Sequence, residues 1–230
     1  HARGGWRPGG HADHVERVRL TTMKKPQQSG SRRALWLAAV IVTVSAAVGL
    51  GAALVLNRDT APVLRAGTLL PEPRQLPGFA LREAAGGPFR REELEGHWTV
   101  LFSGFTHCPD ICPTTLALLA RLREAVPRED LQFLFLSVDP ERDTPEQIAR
   151  YLAQFGPGLA GATGERTEIE RLTASMGFAQ VRNPEAGGAY TIDHSTALVL
   201  IDAEARVVGY FTAPHDRAAL ASDLSALPAS

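Results

Sequence analysis

Two cysteines are all that 230 residues contain, and they stand four positions apart in Phe105-Thr106-His107-Cys108-Pro109-Asp110-Ile111-Cys112-Pro113. Two sulfurs are too few to staple a scaffold, so their purpose is local chemistry. The segment joins an unbroken apolar run over 98–102, expected as a strand buried on both faces, to a stretch over 114–126. There Leu116, Leu119, Leu122 and Val126 recur at helical spacing. A strand-to-helix junction places unpaired N–H groups and the positive end of the helix dipole beside the sulfurs. Thiolates there are expected to form below the roughly 8.5 of free cysteine. If residues 109–112 are helical, Cys108 and Cys112 share one face and can share a metal ion or a disulfide. A pair of inert buried cysteines is the competing reading, and the Pro-rich junction argues against it.

The spacing narrows the chemistry. Dithiol oxidoreductases of the thioredoxin kind use two intervening residues, whereas this pair has three. Two soft sulfurs suit Cu(I) but leave it short of three or four donors, so a third ligand is expected. Of seven histidines, His1, His11 and His14 lie in the Gly- and Arg-rich N-terminal stretch, where an incidental His-rich tail is the commoner explanation. His107 adjoins Cys108 and is expected to point away. His97 falls at the far end of the strand, and His215 in an exposed, Pro-flanked turn. His194 remains, in Tyr190-Thr191-Ile192-Asp193-His194-Ser195, directly before the apolar run 197–201. Alone, a histidine at a strand start is more often structural; beside a dithiol it becomes the candidate third ligand.

The elements that must position these residues are legible as an alternation. A small hairpin is expected over 79–89, a helical turn over 91–95, a second buried strand over 131–138 and a third helix over 165–176. Thr144-Pro145-Glu146 opens a helix to residue 155, with Thr144 as N-cap and proline at its first position. An antiparallel pair over 197–201 and 207–211 and a helix over 216–227 close the chain. Strands alternating with helices and ending in a hairpin describe an α/β domain with a mixed sheet.

Ahead of that domain, residues 34–56 carry no charge, and at about 1.5 Å per residue they span the roughly 30 Å hydrocarbon core of a bilayer. Lys24, Lys25, Arg32 and Arg33 precede them, so the positive-inside rule keeps residues 1–33 in the cytoplasm and exports the remainder. Residues 34–56 are therefore read as an uncleaved transmembrane anchor rather than a signal peptide. Residues 1–22 read either as a disordered tail or as upstream sequence translated before Met23. Residues 57–75, with Pro62, Pro71, Pro73 and Gly67, read as a linker, and the domain as 76–230. Residues 1–56 hold a surplus of six positive charges and residues 57–230 a surplus of seven negative ones, giving the net −1. An acidic domain excludes nucleic acid as its partner.

Cys108-Pro109-Asp110-Ile111-Cys112-Pro113, followed by Val138-Asp139-Pro140-Glu141-Arg142-Asp143-Thr144-Pro145 and by Asp193-His194-Ser195, resembles the Sco/SenC family of copper proteins that assemble cytochrome c oxidase. The resemblance covers roughly residues 71–225, and three motifs in this order are highly specific. It implies a thioredoxin-like, peroxiredoxin-related fold tethered by one N-terminal helix. It also implies that Cys108, Cys112 and His194 bind one copper ion, as Cu(I) or Cu(II), and that Asp139 and Asp193 act as partners of the ligands or tune thiol acidity. For Asp139 to Asp143 a turn and helix-capping role competes. The chain departs slightly from the family: Ser103-Gly104-Phe105 stands where aromatic-Gly-Phe is commoner, and the domain has no lysine.

The implied function is a metallochaperone that receives copper from a donor protein and passes it to the dinuclear site of cytochrome c oxidase subunit II. It would work from the inner membrane as a single-pass protein facing the periplasm, or the intermembrane space in a mitochondrion. The alternative is a thiol–disulfide oxidoreductase or redox sensor acting on the oxidase cysteines, for which His194 would be dispensable. Peroxidase chemistry rests on fold relatives alone and ranks below both.

Overall fold

The computed structural model describes residues 32–56 and 64–230. The expectations for the N-terminal tail and for the start of the linker lie outside them. The chain forms two units, divided between Thr60 and Ala61. In the first, Arg32–Leu56 is one helix, α1. Within it Ala34–Ala52 has a mean hydropathy of 2.1, long and apolar enough to cross a membrane.

The second unit is built on an eight-stranded sheet. In chain order its elements are β1 (Gly67–Gln75), β2 (Ala80–Glu83), β3 (Pro88–Arg90), a 3₁₀ turn at Arg91–Leu94, β4 (Trp98–Gly104) and α2 (Ile111–Ala125). There follow β5 (Leu131–Ser137), α3 (Pro145–Leu152), β6 (Leu159–Gly164) and α4 (Arg166–Ser175). The chain closes with β7 (Val181–Pro184), β8 (Tyr190–Asp193), β9 (Leu198–Ile201), β10 (Arg206–Phe211) and α5 (Arg217–Ser225). The sheet order is β1-β10-β9-β4-β5-β6-β2-β3. β4, β5 and β6 run parallel at its centre, and every other pair is antiparallel.

Alternation along the central strands sorts the core onto two faces. Val100, Phe102, Phe133, Phe135, Leu198 and Leu200 pack with Leu116, Leu119 and Leu122 of α2, Ile148 of α3 and Leu220 and Leu224 of α5. Leu101, Leu134, Leu136 and Val199 pack on the other face with Ile169, Leu172 and Met176 at α4. The mixed α/β architecture with flanking helices matches the expectation. Thr144 caps α3 as expected, its Oγ1 accepting from Gln147 N at 3.2 Å, with Pro145 as the first helical residue.

One expectation needs correction, and two elements of the fold, β6 and the hairpin β7–β8, go unread in the sequence. The linker read over 57–75 ends in a strand: β1 pairs with β10 from Gly67↔Phe211 to Gln75↔Arg206. Its prolines made it look irregular, and irregular it is, because Pro71 and Pro73 fall in the register break between Leu69 and Arg74 on an edge strand. β6 lacks the apolar run that marks a buried strand. α3 lies so close that a Cβ on Gly161 would sit 2.6 Å from Ile148 Cγ2 and 2.7 Å from Leu152 Cδ1. The hairpin β7–β8 forms a separate two-stranded sheet; β7 is mostly exposed and polar, β8 buries only Ile192, and Gly187 and Gly188 turn it at positive φ.

Candidate metal centre

The centre forms where the C-terminal end of β4 meets the start of α2, and the hairpin β7–β8 brings the third residue. The sulfurs of Cys108 and Cys112 and a nitrogen of His194 all lie within 4.8 Å of one another. Cys112 is fully buried; Cys108 and His194 are half-buried. α2 begins at Ile111, so Cys108 stands in the preceding loop and not on the helix. The i, i+4 helical geometry expected for the pair is therefore replaced by a loop that folds back. Cys112 N–H, one of the helix-start amides without an intrahelical acceptor, donates to Cys108 Sγ at 3.5 Å.

Gly104, the last residue of β4, makes this packing feasible. A Cβ there would lie 2.8 Å from Cys112 Sγ and 3.0 Å from Phe135 Cε2. The expected lowering of the thiol pKa fails for Cys112. Burial pushes its thiol well above the ordinary cysteine range, and a hydrogen bond with the Phe105 backbone only partly opposes that. Depth in the core outweighs the helix dipole.

His194 follows β8 directly. Its Nδ1 donates to the Ser195 carbonyl at 3.0 Å, which leaves the Nε2 lone pair free, 3.6 Å from Cys112 Sγ. Phe102 and Phe105 meet the imidazole edge-on at centroid distances of 6.0 and 5.7 Å. Burial lowers the His194 pKa, with the Ser195 carbonyl and Asp193 pulling the other way. The ring is thus neutral at neutral pH and presents a nitrogen donor. Two sulfurs and an imidazole nitrogen converging in a partly apolar pocket fit a soft or borderline metal. They do not suit a hard cation, which would need oxygen donors.

The other histidines among the described residues stand apart from this centre. His107 is exposed; its Nδ1 is 3.1 Å from Thr106 Oγ1 and 3.6 Å from Asp143 Oδ1. His97 bonds the Glu95 carbonyl. His215 is half-buried rather than exposed, its Nε2 3.1 Å from the Thr196 carbonyl.

The two aspartates expected beside the ligands are displaced from them. Asp193 accepts from Asn183 Nδ2 across the hairpin at 2.7 Å and reaches His194 only through its charge. Asp139, fully buried, accepts from Tyr190 Oη at 2.8 Å and pairs with Arg142 Nε. Neither bonds a ligand side chain among the described contacts. The residue that sequence reasoning missed is Asp143, also fully buried. It accepts from Thr106 N at 2.9 Å, Thr106 Oγ1 at 2.6 Å and Ser137 Oγ at 2.6 Å. Its position just before Thr144-Pro145 disguised it as a helix-capping residue.

A family model described as SCO1/SenC matches residues 70–228. A Stutzerimonas stutzeri protein, provisionally named as copper-binding, is 40% identical over 149 residues, which are 64% of this chain and 73% of that one. The mitochondrial SCO1 homolog 1 of Arabidopsis thaliana is 36% identical over 148 residues, 59% of this chain but only 44% of the plant protein. The structure of Bradyrhizobium japonicum ScoI with copper bound superposes with a TM-score of 0.62 at 34% identity, covering 66% of this chain and 99% of that one. The sheet, the convergent Cys108, Cys112 and His194, and a family match across most of the second unit lead to one assignment: the chain belongs to the SCO1/SenC family.

Proposed function

We propose that this chain is a copper metallochaperone that binds one copper ion through Cys108, Cys112 and His194 and delivers it to the dinuclear site of cytochrome c oxidase subunit II. The observation that carries the reading is the approach of His194 Nε2 to Cys112 Sγ at 3.6 Å, with Nδ1 already committed to a carbonyl. A dithiol reductant needs no such nitrogen. Two thiolates favour Cu(I), and the imidazole lets the same site accept Cu(II). Copper is bound in the Bradyrhizobium relative, whose chain is almost fully covered. The oxidase as acceptor, and a donor protein upstream, follow from the family resemblance.

Transfer would proceed by ligand exchange. Cys108, the less buried sulfur, is the ligand that an incoming acceptor thiolate can replace first. The α1 helix would hold the protein in the inner membrane, with Lys24, Lys25, Arg32 and Arg33 on the cytoplasmic side and the second unit in the periplasm.

Copper titration of the reduced chain, followed by visible absorption and electron paramagnetic resonance, tests this. One equivalent of Cu(II) should give an intense thiolate-to-copper band that His194→Ala removes while the metal-free fold is unchanged. No stoichiometric binding of Cu(I) or Cu(II) would reject the reading and leave thiol–disulfide exchange as the function of the pair.

A further inference from the structure

Two of the three donors arrive on segments that are not hydrogen-bonded into the main sheet. Cys108 stands in the loop between β4 and α2, and His194 hangs from the hairpin β7–β8, which hydrogen-bonds to no strand of the eight-stranded sheet. Cys112 and His194 are 82 positions apart in sequence. We infer that the turn from Val138 to Thr144 is the positioning element of the centre. Its Asp143 sets the loop that presents Cys108, and its Asp139 with Arg142 sets the hairpin that presents His194. The inference rests on the donor assignment proposed above.

On the cysteine side, Asp143 gathers the amide and hydroxyl of Thr106, two residues before Cys108, and is itself fixed by Ser137 Oγ at the end of β5. On the histidine side, Asp139 accepts from Tyr190 Oη, and Arg142, paired to Asp139, donates Nη1 to the Tyr190 carbonyl at 3.2 Å. The guanidiniums of Arg142 and Arg182 lie over the Tyr190 ring at 3.7 and 3.6 Å. Glu141 of the same turn pairs with Arg182 of β7. Arg142 also faces the Phe105 ring at 5.6 Å, the ring that meets the His194 edge. Side chains of Asp139, Glu141, Arg142 and Asp143 thus tie one seven-residue turn to the segments that carry Cys108 and His194.

Helix capping does not explain these groups, because Thr144 alone caps α3. The cluster even tolerates a buried Arg142 Nη2 with no acceptor among the described residues, an arrangement that stability alone would select against.

Conservative variants of the full chain in detergent test the assignment. Tyr190→Phe keeps the ring and removes only the hydroxyl that bonds Asp139. It should weaken Cu(II) about tenfold or more, in the range typical of groups that orient metal ligands. It should also change the nitrogen hyperfine pattern, while Cu(I) affinity, held mainly by sulfur, falls several-fold less. Asp143→Asn should weaken both oxidation states, and Thr106→Val, which deletes one donor and keeps the turn, should do so in the same direction should Asp143→Asn fail to fold. In the metal-free chain, amide exchange should accelerate at 190–193 for the first variant and at 105–110 for the others, with the global unfolding midpoint little changed.

Wild-type copper affinities, an unaltered Cu(II) spectrum and unchanged local exchange in all three would overturn the inference. If the wild type itself bound no copper, the donor assignment would fail instead, and the exchange measurement would still decide whether the turn positions the two segments.

Discussion

At the scale of single residues, the centre combines a protonated buried thiol with a neutral imidazole. Burial raises the Cys112 thiol, so it holds its proton through neutral pH, and copper must expel that proton to gain the thiolate. His194 is shifted the opposite way and stays neutral until the pH falls below the ordinary histidine range of about 6.5. Copper affinity should therefore rise with pH between about 6 and 8, by up to about tenfold per unit for each proton released. Titrations at three pH values with proton-release measurement check this; an affinity flat with pH would mean that copper expels no proton from Cys112. Gly104 supplies a second residue-scale prediction. Gly104→Ala places a methyl where Cys112 Sγ and the Phe135 ring now lie, and overpacking of this kind costs about 1–3 kcal/mol. Because the displaced atom is a proposed donor, copper affinity should fall more than thermal stability does. A variant with lower stability and unchanged affinity would show that the sulfur has room to shift.

At the scale of elements, what was legible tracked how strongly each segment advertises its own burial. The all-buried β4, the nearly all-buried β5 and the periodic α2 could be read from their apolar residues alone. β6 could not, since Gly161 and its small neighbours are there to admit α3, and the information resides in the partner element. β7–β8 went unread because the hairpin buries a single side chain, Ile192, and so shows no hydrophobic period, although Gly187-Gly188 was a turn signal. The candidate donors were reached through sulfur spacing and elimination among histidines, but the contacts of Asp139 and Asp143 depend on which loops the fold brings together. The connection from α2 to β5 illustrates a tie of this type. Arg128 donates to the carbonyls of Leu224 in the last turn of α5 and of Leu227 and Pro228 beyond it, and Asp130 holds the guanidinium at 2.6 Å. The guanidinium keeps the Asp130 carboxyl well below the usual range. A depressed folded-state pKa gives stability that is present above about 3.9, the unfolded value, and is lost as pH falls through the folded one. Arg128→Ala should cost about 2 kcal/mol near neutral pH. Asp130→Asn should flatten the acid limb of the stability profile, which denaturant melts between pH 2 and 7 would read.

At the scale of the whole molecule, the point at which the chain joins its second unit governs stability. Asp223 of α5 is buried, and its carboxylate accepts the amides of Arg65 at 2.9 Å and Ala66 at 2.8 Å. Leu64 and Ala66 pack on the core beside Phe211 and Leu220, and β1 then covers the edge of β10. The folded unit thus starts at Leu64 or before, about a dozen residues ahead of the boundary that proline content suggested. A fragment beginning at residue 61 should fold and unfold in a single transition. One beginning at residue 76 loses the strand that pairs β10, exposes an edge ready for intermolecular pairing, and strands the Asp223 carboxylate without its two donors. It should aggregate or melt far lower. Asp223→Ala in the longer fragment isolates the carboxylate contribution, expected at about 1–3 kcal/mol for the two amides left unpaired. Thermal melts of the three proteins decide the matter. If the fragment from residue 76 matched the longer one, β1 would be an appendage and the tether would end at the sheet. If it fails as expected, the residues leading from the apolar helix are part of the domain that holds the metal centre, and any shortening of the tether must stop before Leu64.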